Sequence, residues 1–210
     1  MTEKDTKQKI LESANELFAK HGFAGASIRD IASKAGVNLA AINYHFGGKD
    51  NLYWKVFDYN YEVLEQDIEK IGERTKTTVD LATETFRLFL SDGDAILNTF
   101  RIFLSDVADI PQEGDFLKCG GRLGPPGEKV FFEKIQNDLG EQMPIEGQMW
   151  ATKMIFSILV HMGVVVNTKF MKEKAKVSKE DSPEKFEKMV ALSVKAHLNY
   201  LKESPEEFKQ

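Results

Sequence analysis

The chain has 210 residues, with 28 basic against 33 acidic side chains for a net charge of −5, and 42% of its residues are hydrophobic. That composition excludes disorder throughout, and at roughly 100 to 200 residues per domain the length allows one large domain or two unequal ones. A single cysteine, Cys119, excludes an internal disulfide framework and a multi-cysteine zinc site. Fifteen Phe and only six Pro favour a Phe-rich interior built from long helices. The N-terminal stretch MTEKDTKQKILESANELF alternates charged and apolar residues and lacks the apolar run of a signal peptide, so a cytoplasmic location is expected. The longest apolar run, 154–166, is shorter than the roughly 20 residues a bilayer demands, and no membrane partner is expected. Charge is uneven: residues 1–55 hold eight Lys or Arg against six Asp or Glu, whereas residues 56–210 hold 20 against 27. An acidic protein that binds a polyanion must concentrate positive charge locally, which points any nucleic-acid contact to the N-terminal quarter.

In chain order, Ile10, Leu11, Ala14, Leu17 and Phe18 form one apolar face at helical period, and Gly22 ends that helix. Ser27 precedes a second pattern, Ile28, Ile31, Ala32 and Ala35, with Asp30 three residues on as an acidic variant of a capping box; Gly36 closes it. Asn38 suits the cap of a third short helix, LAAINYHF, stopped by Gly47-Gly48. Three helices within about forty residues, the last two joined by a few residues around Gly36, have the spacing of a helix-turn-helix. A long helix follows Gly48, with Leu52, Val56, Tyr59 and Val63 in register. Helical patterns recur over 79–90 and 95–107. From Ile110 to Gly127, five Gly and three Pro forbid regular structure. A short helix is expected over 130–139 and an apolar one over about 148–172. The last opens at Ser182-Pro183 with the stripe Phe186, Val190, Val194, His197, Leu198 and Leu201. The fold class is all-α, and no strand alternation or internal repeat is visible.

Over ILESANELFAKHGFAGASIRDIASKAGVNLAAINYHFGGKDNLY, residues 10–53, the sequence resembles the TetR family of bacterial transcriptional regulators. Ser27, Asp30-Ile31-Ala32, Ala35-Gly36-Val37, Tyr44-His45-Phe46 and Lys49 carry the likeness. The resemblance implies a helix-turn-helix DNA-binding domain over 1–48 and a helical ligand-binding and dimerisation domain over 49–210. It also implies a ligand-responsive regulator, in most cases a repressor, that binds palindromic operator DNA as a homodimer.

By that reading, Ser27, Tyr44, His45 and Lys49 match positions that contact phosphates in the family, and Arg29 is placed to reach a guanine or a phosphate. Lys34 is a further basic candidate beside the turn. A recognition helix must offer short or amide side chains to the major groove, and Asn38, Leu39, Ala40, Ala41 and Asn43 meet that need. Amides pair with adenine edges, and Ala methyls touch thymine methyls. Taken alone, Ser27 and Asn38 are also ordinary caps, and Val37, Ile42 and Phe46 read as core. The family commonly has a Tyr where this chain has Asn43, so a phosphate contact is exchanged for a base contact and no operator sequence carries over.

The resemblance also implies that the last two long helices, about 148–172 and 183–202, dimerise, with the run 154–166 and the stripe from Phe186 to Leu201 as interface. Phe100, Phe103, Trp150, Met154, Phe156, His161 and Met162 are candidate lining residues for a small hydrophobic effector, since such pockets are mostly apolar. His161, a polar ring in the greasiest helix, is expected to be buried with a partner. No enzyme activity, metal or cofactor is expected: the four His are scattered, and no His-Glu-x-x-His pattern, phosphate loop or nucleophile elbow occurs. Cys119 is a candidate redox sensor. Two other readings stay open, a DNA-binding regulator without a ligand and a helical scaffold that has kept the helix-turn-helix.

Overall fold

The structure is a computed structural model that describes residues 3–103 and 125–208. Among these residues it is all helical: α1 (Glu3–Gly25), α2 (Ile28–Ala35), α3 (Leu39–Phe46), α4 (Lys49–Arg74), α5 (Thr78–Ser91), α6 (Gly93–Phe103), α7 (Glu128–Leu139), α8 (Ile145–Asn167), α9 (Lys169–Ala175) and α10 (Pro183–Glu203), with two short 3₁₀ turns. The expected Gly-rich loop falls almost wholly on 104–124, and it lies, with Cys119 and Val107, outside the described residues.

Two compact units are present, and the chain passes between them inside α4, between Val63 and Leu64, and again inside α6, between Ile96 and Leu97. The expected domain boundary lies instead at residues 48–49. The first four turns of α4 account for the difference, because Leu52, Tyr53, Trp54, Val56 and Phe57 belong to the same core as Ile10, Phe18, Ile31, Ile42 and Phe46. Tyr53 is the pivot of that core: its ring meets Phe18 edge-on at 4.9 Å and Phe23 at 5.0 Å. Two amide and hydroxyl contacts, Asn60 to Asn15 at 3.0 Å and Gln8 to Tyr59 at 3.2 Å, continue the α1–α4 seam beyond the aromatic cluster.

In the second unit, α10 packs against α5, α7 and α8, while α7 and α5 also pack on α8. The expected α10 stripe is buried as anticipated at Phe186, Val190, Val194, Leu198 and Leu201. Its place is different: these residues fill the core of one chain and are not available as an interface between chains. Met189, Leu192 and Tyr200 stand on the outer face of α10 instead.

The helix expected over 148–172 is two helices. Thr168, with ψ at 148°, ends α8 and caps α9, its hydroxyl accepting from the Met171 N–H. The run Val164–Val166 is followed by Asn167, whose amide is buried and donates to the carbonyls of Phe89 at 2.7 Å and Gly163 at 2.9 Å. That pull on the chain fixes the end of α8. Because α8 begins at Ile145, its 23 residues reach a membrane-crossing length that the apolar run alone lacks. Its buried face, with Ala151, Ile155, Phe156 and Leu159, accounts for much of that apolarity.

His197 stacks on Trp150 at 4.2 Å with the rings 18° from parallel, and Phe208 closes on the same indole at 5.3 Å. Its Nε2 is buried without a hydrogen-bond partner among the described residues. Burial therefore pushes the imidazole below the ordinary histidine value of 6.5. The fold accepts the neutral ring, so this contribution to stability is complete above pH about 6.5 and is lost as the pH falls through the lower folded value. Thermal melts should consequently lose stability between pH 7 and pH 5 more steeply in the wild type than in His197→Gln; parallel pH profiles would contradict the assignment.

Candidate nucleic-acid interface

The helix-turn-helix is built by caps. Ser27 Oγ accepts from the Asp30 N–H at 3.1 Å and donates to Asp30 Oδ2 at 2.6 Å, which is the predicted capping pair. Gly36 then takes φ 66°, a left-handed conformation that ends α2 and that L side chains rarely adopt. Asn38 Oδ1 accepts from the Ala41 N–H at 2.9 Å, opening α3. Ile42 and Phe46 are buried on the inner face of α3, so its outer face is fixed without contribution from the outer side chains.

That outer face is the expected one. Asn38, Leu39, Ala40, Asn43 and Tyr44 are exposed, Tyr44 at 79%, while Ala41 and His45 are half-buried. The rings of Tyr44 and His45 meet edge-on at 5.0 Å, which joins the two at the C-terminal end of α3. Lys49 Nζ lies 4.4 Å above the Phe23 ring, so its cation is held in place at the start of α4. Arg29 is exposed at the start of α2.

Two candidates are engaged within the domain. The Ser27 hydroxyl is used fully by Asp30, so a phosphate contact from Ser27 requires its proton to turn away from that carboxylate. Lys34 forms an ion pair with Glu16 of α1, Nζ to Oε2 at 2.9 Å, beside a cleft also lined by Lys9, Glu12 and Ser13. One cation went unnoticed in the sequence: Lys7 of α1 lies 6.0 Å from the centroid of Phe46, at the end of α3. Nothing in a linear reading signals it, since the proximity arises from packing α1 against the other helices.

The candidate effector residues are divided between the two units of the chain. Phe100 belongs to the first unit, whereas Trp150, Met154, His161 and Met162 belong to the second. Phe103 ends α6, and its side chain is outside the described residues. Phe156 is core, meeting Phe131 at 4.9 Å, and Trp150 is engaged by His197, Tyr200 and Phe208. Met162 is half-buried. The expectation of a buried His161 is corrected, because His161 and Met154 are both exposed on the outer side of α8. Seven positions apart, Met154 and His161 share one face of α8. No group of three or more potential metal ligands occurs among the described residues.

A capped two-helix module whose second helix offers short and amide side chains to the outside defines a helix-turn-helix protein. Residues 10–55 match the family described as bacterial regulatory proteins, tetR family. YttP of Bacillus subtilis, described as an HTH-type transcriptional regulator, is 42% identical over 72 residues, or 34% of this chain and 35% of that protein. The HTH-type transcriptional repressor AcnR of Corynebacterium glutamicum is 43% identical over 49 residues, 23% of this chain and 26% of AcnR. The matched part thus spans about a third or less of these relatives. Over residues 10–55 the chain is thus similar to bacterial regulatory proteins of the tetR family.

Solved structures extend the likeness of fold over nearly the whole chain. A transcriptional regulator of Pseudomonas aeruginosa PAO1 aligns with a TM-score of 0.70 at 16% identity, covering 100% of this chain and 96% of its own. NalD, the secondary repressor of the MexAB-OprM multidrug efflux pump in the same species, aligns at 0.59 and 18% identity over 93% and 98%.

The Glu16–Lys34 pair is exposed, and such pairs are worth about 0.2 to 1 kcal/mol. Glu16→Gln frees the Lys34 ammonium and removes a negative charge beside the turn. Affinity for duplex DNA at low salt should therefore rise, by roughly 1.5- to 5-fold, with a steeper salt dependence. Titrations at two salt concentrations that coincide with the wild type would show that this pair does not modulate DNA contact.

Proposed function

We propose that the protein is a transcriptional regulator, in action a repressor, that binds a palindromic operator as a homodimer and is released by a small hydrophobic effector. The observation that carries the reading is the outer face of α3, where Asn38, Leu39, Ala40 and Asn43 stand exposed on a helix anchored by Ile42 and Phe46. Asn43 and Asn38 supply amides for adenine edges, and Leu39, Ala40 and Ala41 supply apolar contact for thymine methyls. Lys49, Tyr44, His45, Arg29 and Ser27 surround them as phosphate contacts, with Lys34 available once released from Glu16.

Dimerisation is supported by the outward faces of α8 and α10. Met149, Met154, Met189 and Leu192 are exposed at 47%, 37%, 46% and 56%, on two helices that pack on one another within the chain. Exposed apolar side chains on two helices that pack together suit an association surface, and methionine is enriched in such interfaces. The contact residues are therefore the outer face of α10, not the buried stripe Phe186 to Leu201.

Release works by population shift. An effector loosens DNA only by binding better to the arrangement of the two recognition helices that does not fit the operator, and a coupling of about 1 to 3 kcal/mol is typical. Among proteins of this fold is FadR of Bacillus halodurans, a fatty acid degradation regulator.

Two substitutions separate base reading from phosphate contact. Asn43→Ala should cost about 1 to 3 kcal/mol on a selected operator and little on random duplex. Lys49→Ala should weaken both alike and flatten the salt dependence. Equal losses on both duplexes for Asn43→Ala would make it a backbone contact. For the assembly, light scattering should give a dimer of twice 23.8 kDa, and Leu192→Glu should shift it to monomer with loss of operator binding; a wild-type monomer at micromolar concentration would overturn the assignment.

A further inference from the structure

Helix α10 ends where Ser204 leaves helical backbone, with φ −134° and ψ 51°, and the chain then packs against α8 as the 3₁₀ turn Pro205–Phe208. Backbone bonding holds that turn weakly, the Glu207 N–H donating to the Ser204 carbonyl at 3.3 Å. Side chains hold it instead. The Phe208 ring lies 5.3 Å from that of Trp150 and rests on Gly147, where an added Cβ would come within 3.3 Å of it. The Tyr200 hydroxyl donates to Glu207 Oε2 at 2.5 Å, and that carboxylate pushes the phenol above its ordinary value. Beneath the turn, His197 of α10 is stacked on the same indole at 4.2 Å, so Trp150 is shared between an imidazole from the helix and a phenyl ring from the turn.

The imidazole has nothing there to receive a charge. A protonated ring is a donor at both nitrogens, and Nε2 is buried with no acceptor among the described residues. Stacking on an indole favours a cation, but burial prevails and the ring is held toward its neutral form. Titratable groups on the surrounding elements do not alter this. On α10 and the turn they are Tyr200, Glu206 and Glu207, and on α8 Glu146 and Lys153 stand exposed one turn to either side of Trp150. On α5 and α7, which also pack on α10, Arg87 pairs with Glu84 and Lys129 with Glu133, Asp80 and Asp138 hold the Thr77 and Thr78 amides, and Lys134 holds the Thr75 carbonyl. None of these charges contributes to the lowered value of His197, whose cause is burial.

We propose that the turn 205–208 is a strap over Trp150 and His197 that acid opens, because the closed strap accommodates only the neutral imidazole. With the strap lifted, water reaches Nε2 and solvates the charged ring. The closed form therefore keeps its full advantage above pH about 6.5 and loses it progressively as the pH falls from there to the lower value of the closed form. The inference is independent of the DNA-binding reading, since every residue in it lies in the second unit.

The test uses the full-length chain and two readouts. Hydrogen exchange over 204–208, corrected for the intrinsic rates at each pH, should show protection falling by up to roughly 10-fold between pH 7.5 and pH 5.5, the change in the charged-to-neutral ratio of an open imidazole plus one. His197→Phe, which keeps a ring on Trp150 and cannot titrate, should hold the same protection at both pH values; if it does not fold, His197→Gln serves for the comparison. Tyr200→Phe cuts the other tie to the strap and should lower protection at both pH values while keeping the acid response. In the second readout, the His197 titration followed by NMR should move up toward 6.5 in Phe208→Ala, because the ring that covers the imidazole is gone. Protection that is the same at both pH values in the wild type would overturn the proposal, as would a His197 titration that Phe208→Ala leaves unchanged. An acid response that survives in His197→Phe and disappears in Tyr200→Phe would assign the opening to the Glu207 carboxylate and overturn it too.

Discussion

An eight-residue helix has almost no stability of its own in water, because nucleation is costly and so few bonds follow it. Both helices of the helix-turn-helix are that short. They exist because their ends are closed by side chains and left-handed glycines, and because their inner faces enter a core whose largest members come from elsewhere. Phe18 of α1 and Tyr53 of α4 supply the aromatic contacts, so the two short helices are held by a core built largely from elements outside them. The division of labour follows: α3 is free to vary its outer face, since Ile42 and Phe46, with Ala41 beside them, tie its inner face to the core.

The same economy shapes the second unit, where buried polar groups mark the places that must not move. Asn167 bridges the Phe89 and Gly163 carbonyls, and a Cβ at Gly93 would collide with its amide. An unpaired buried amide costs about 1 to 3 kcal/mol, so this junction of α5, α6 and α8 is specified by its hydrogen bonds as much as by packing. Arg87 adds a bridge from α5 to Glu187 of α10, which holds that carboxylate below its usual range. Being solvent-exposed, it contributes orientation more than energy.

The boundaries of α2, α3 and α10 were legible in the sequence because caps and stops are local chemistry: Ser27 with Asp30, Asn38, Gly36, Gly47 and Ser182-Pro183 each act on their own neighbours. The inward stripe of α10 was legible for a related reason, that periodicity reports which residues share a face. What periodicity cannot report is what covers a face. The stripe Phe186 to Leu201 is filled by α5 and α8 of the same chain, and the apolar residues left for a partner, Met189 and Leu192, stand on the other side among lysines. His161 is exposed for the same reason, since average apolarity over a helix says nothing about which side is wet. The break at Thr168 was hidden because a β-branched run and a threonine are tolerable in a helix until Asn167 finds distant carbonyls to bind.

Several polar groups of the candidate interface are already engaged within the domain. Glu16 neutralises Lys34, Asp30 takes the Ser27 hydroxyl, and Lys49 sits over the Phe23 ring. The chain as a whole carries a net charge of −5, so on the proposed reading attraction to a polyanion rests on the local excess of basic residues in the N-terminal quarter. That excess is small, and discrimination on the same reading falls to the neutral face of α3, where Leu39, Ala40 and Asn43 gain contact with base edges only when the helix is already seated. The caps and the core behind α3 then matter more than added positive charge on the front.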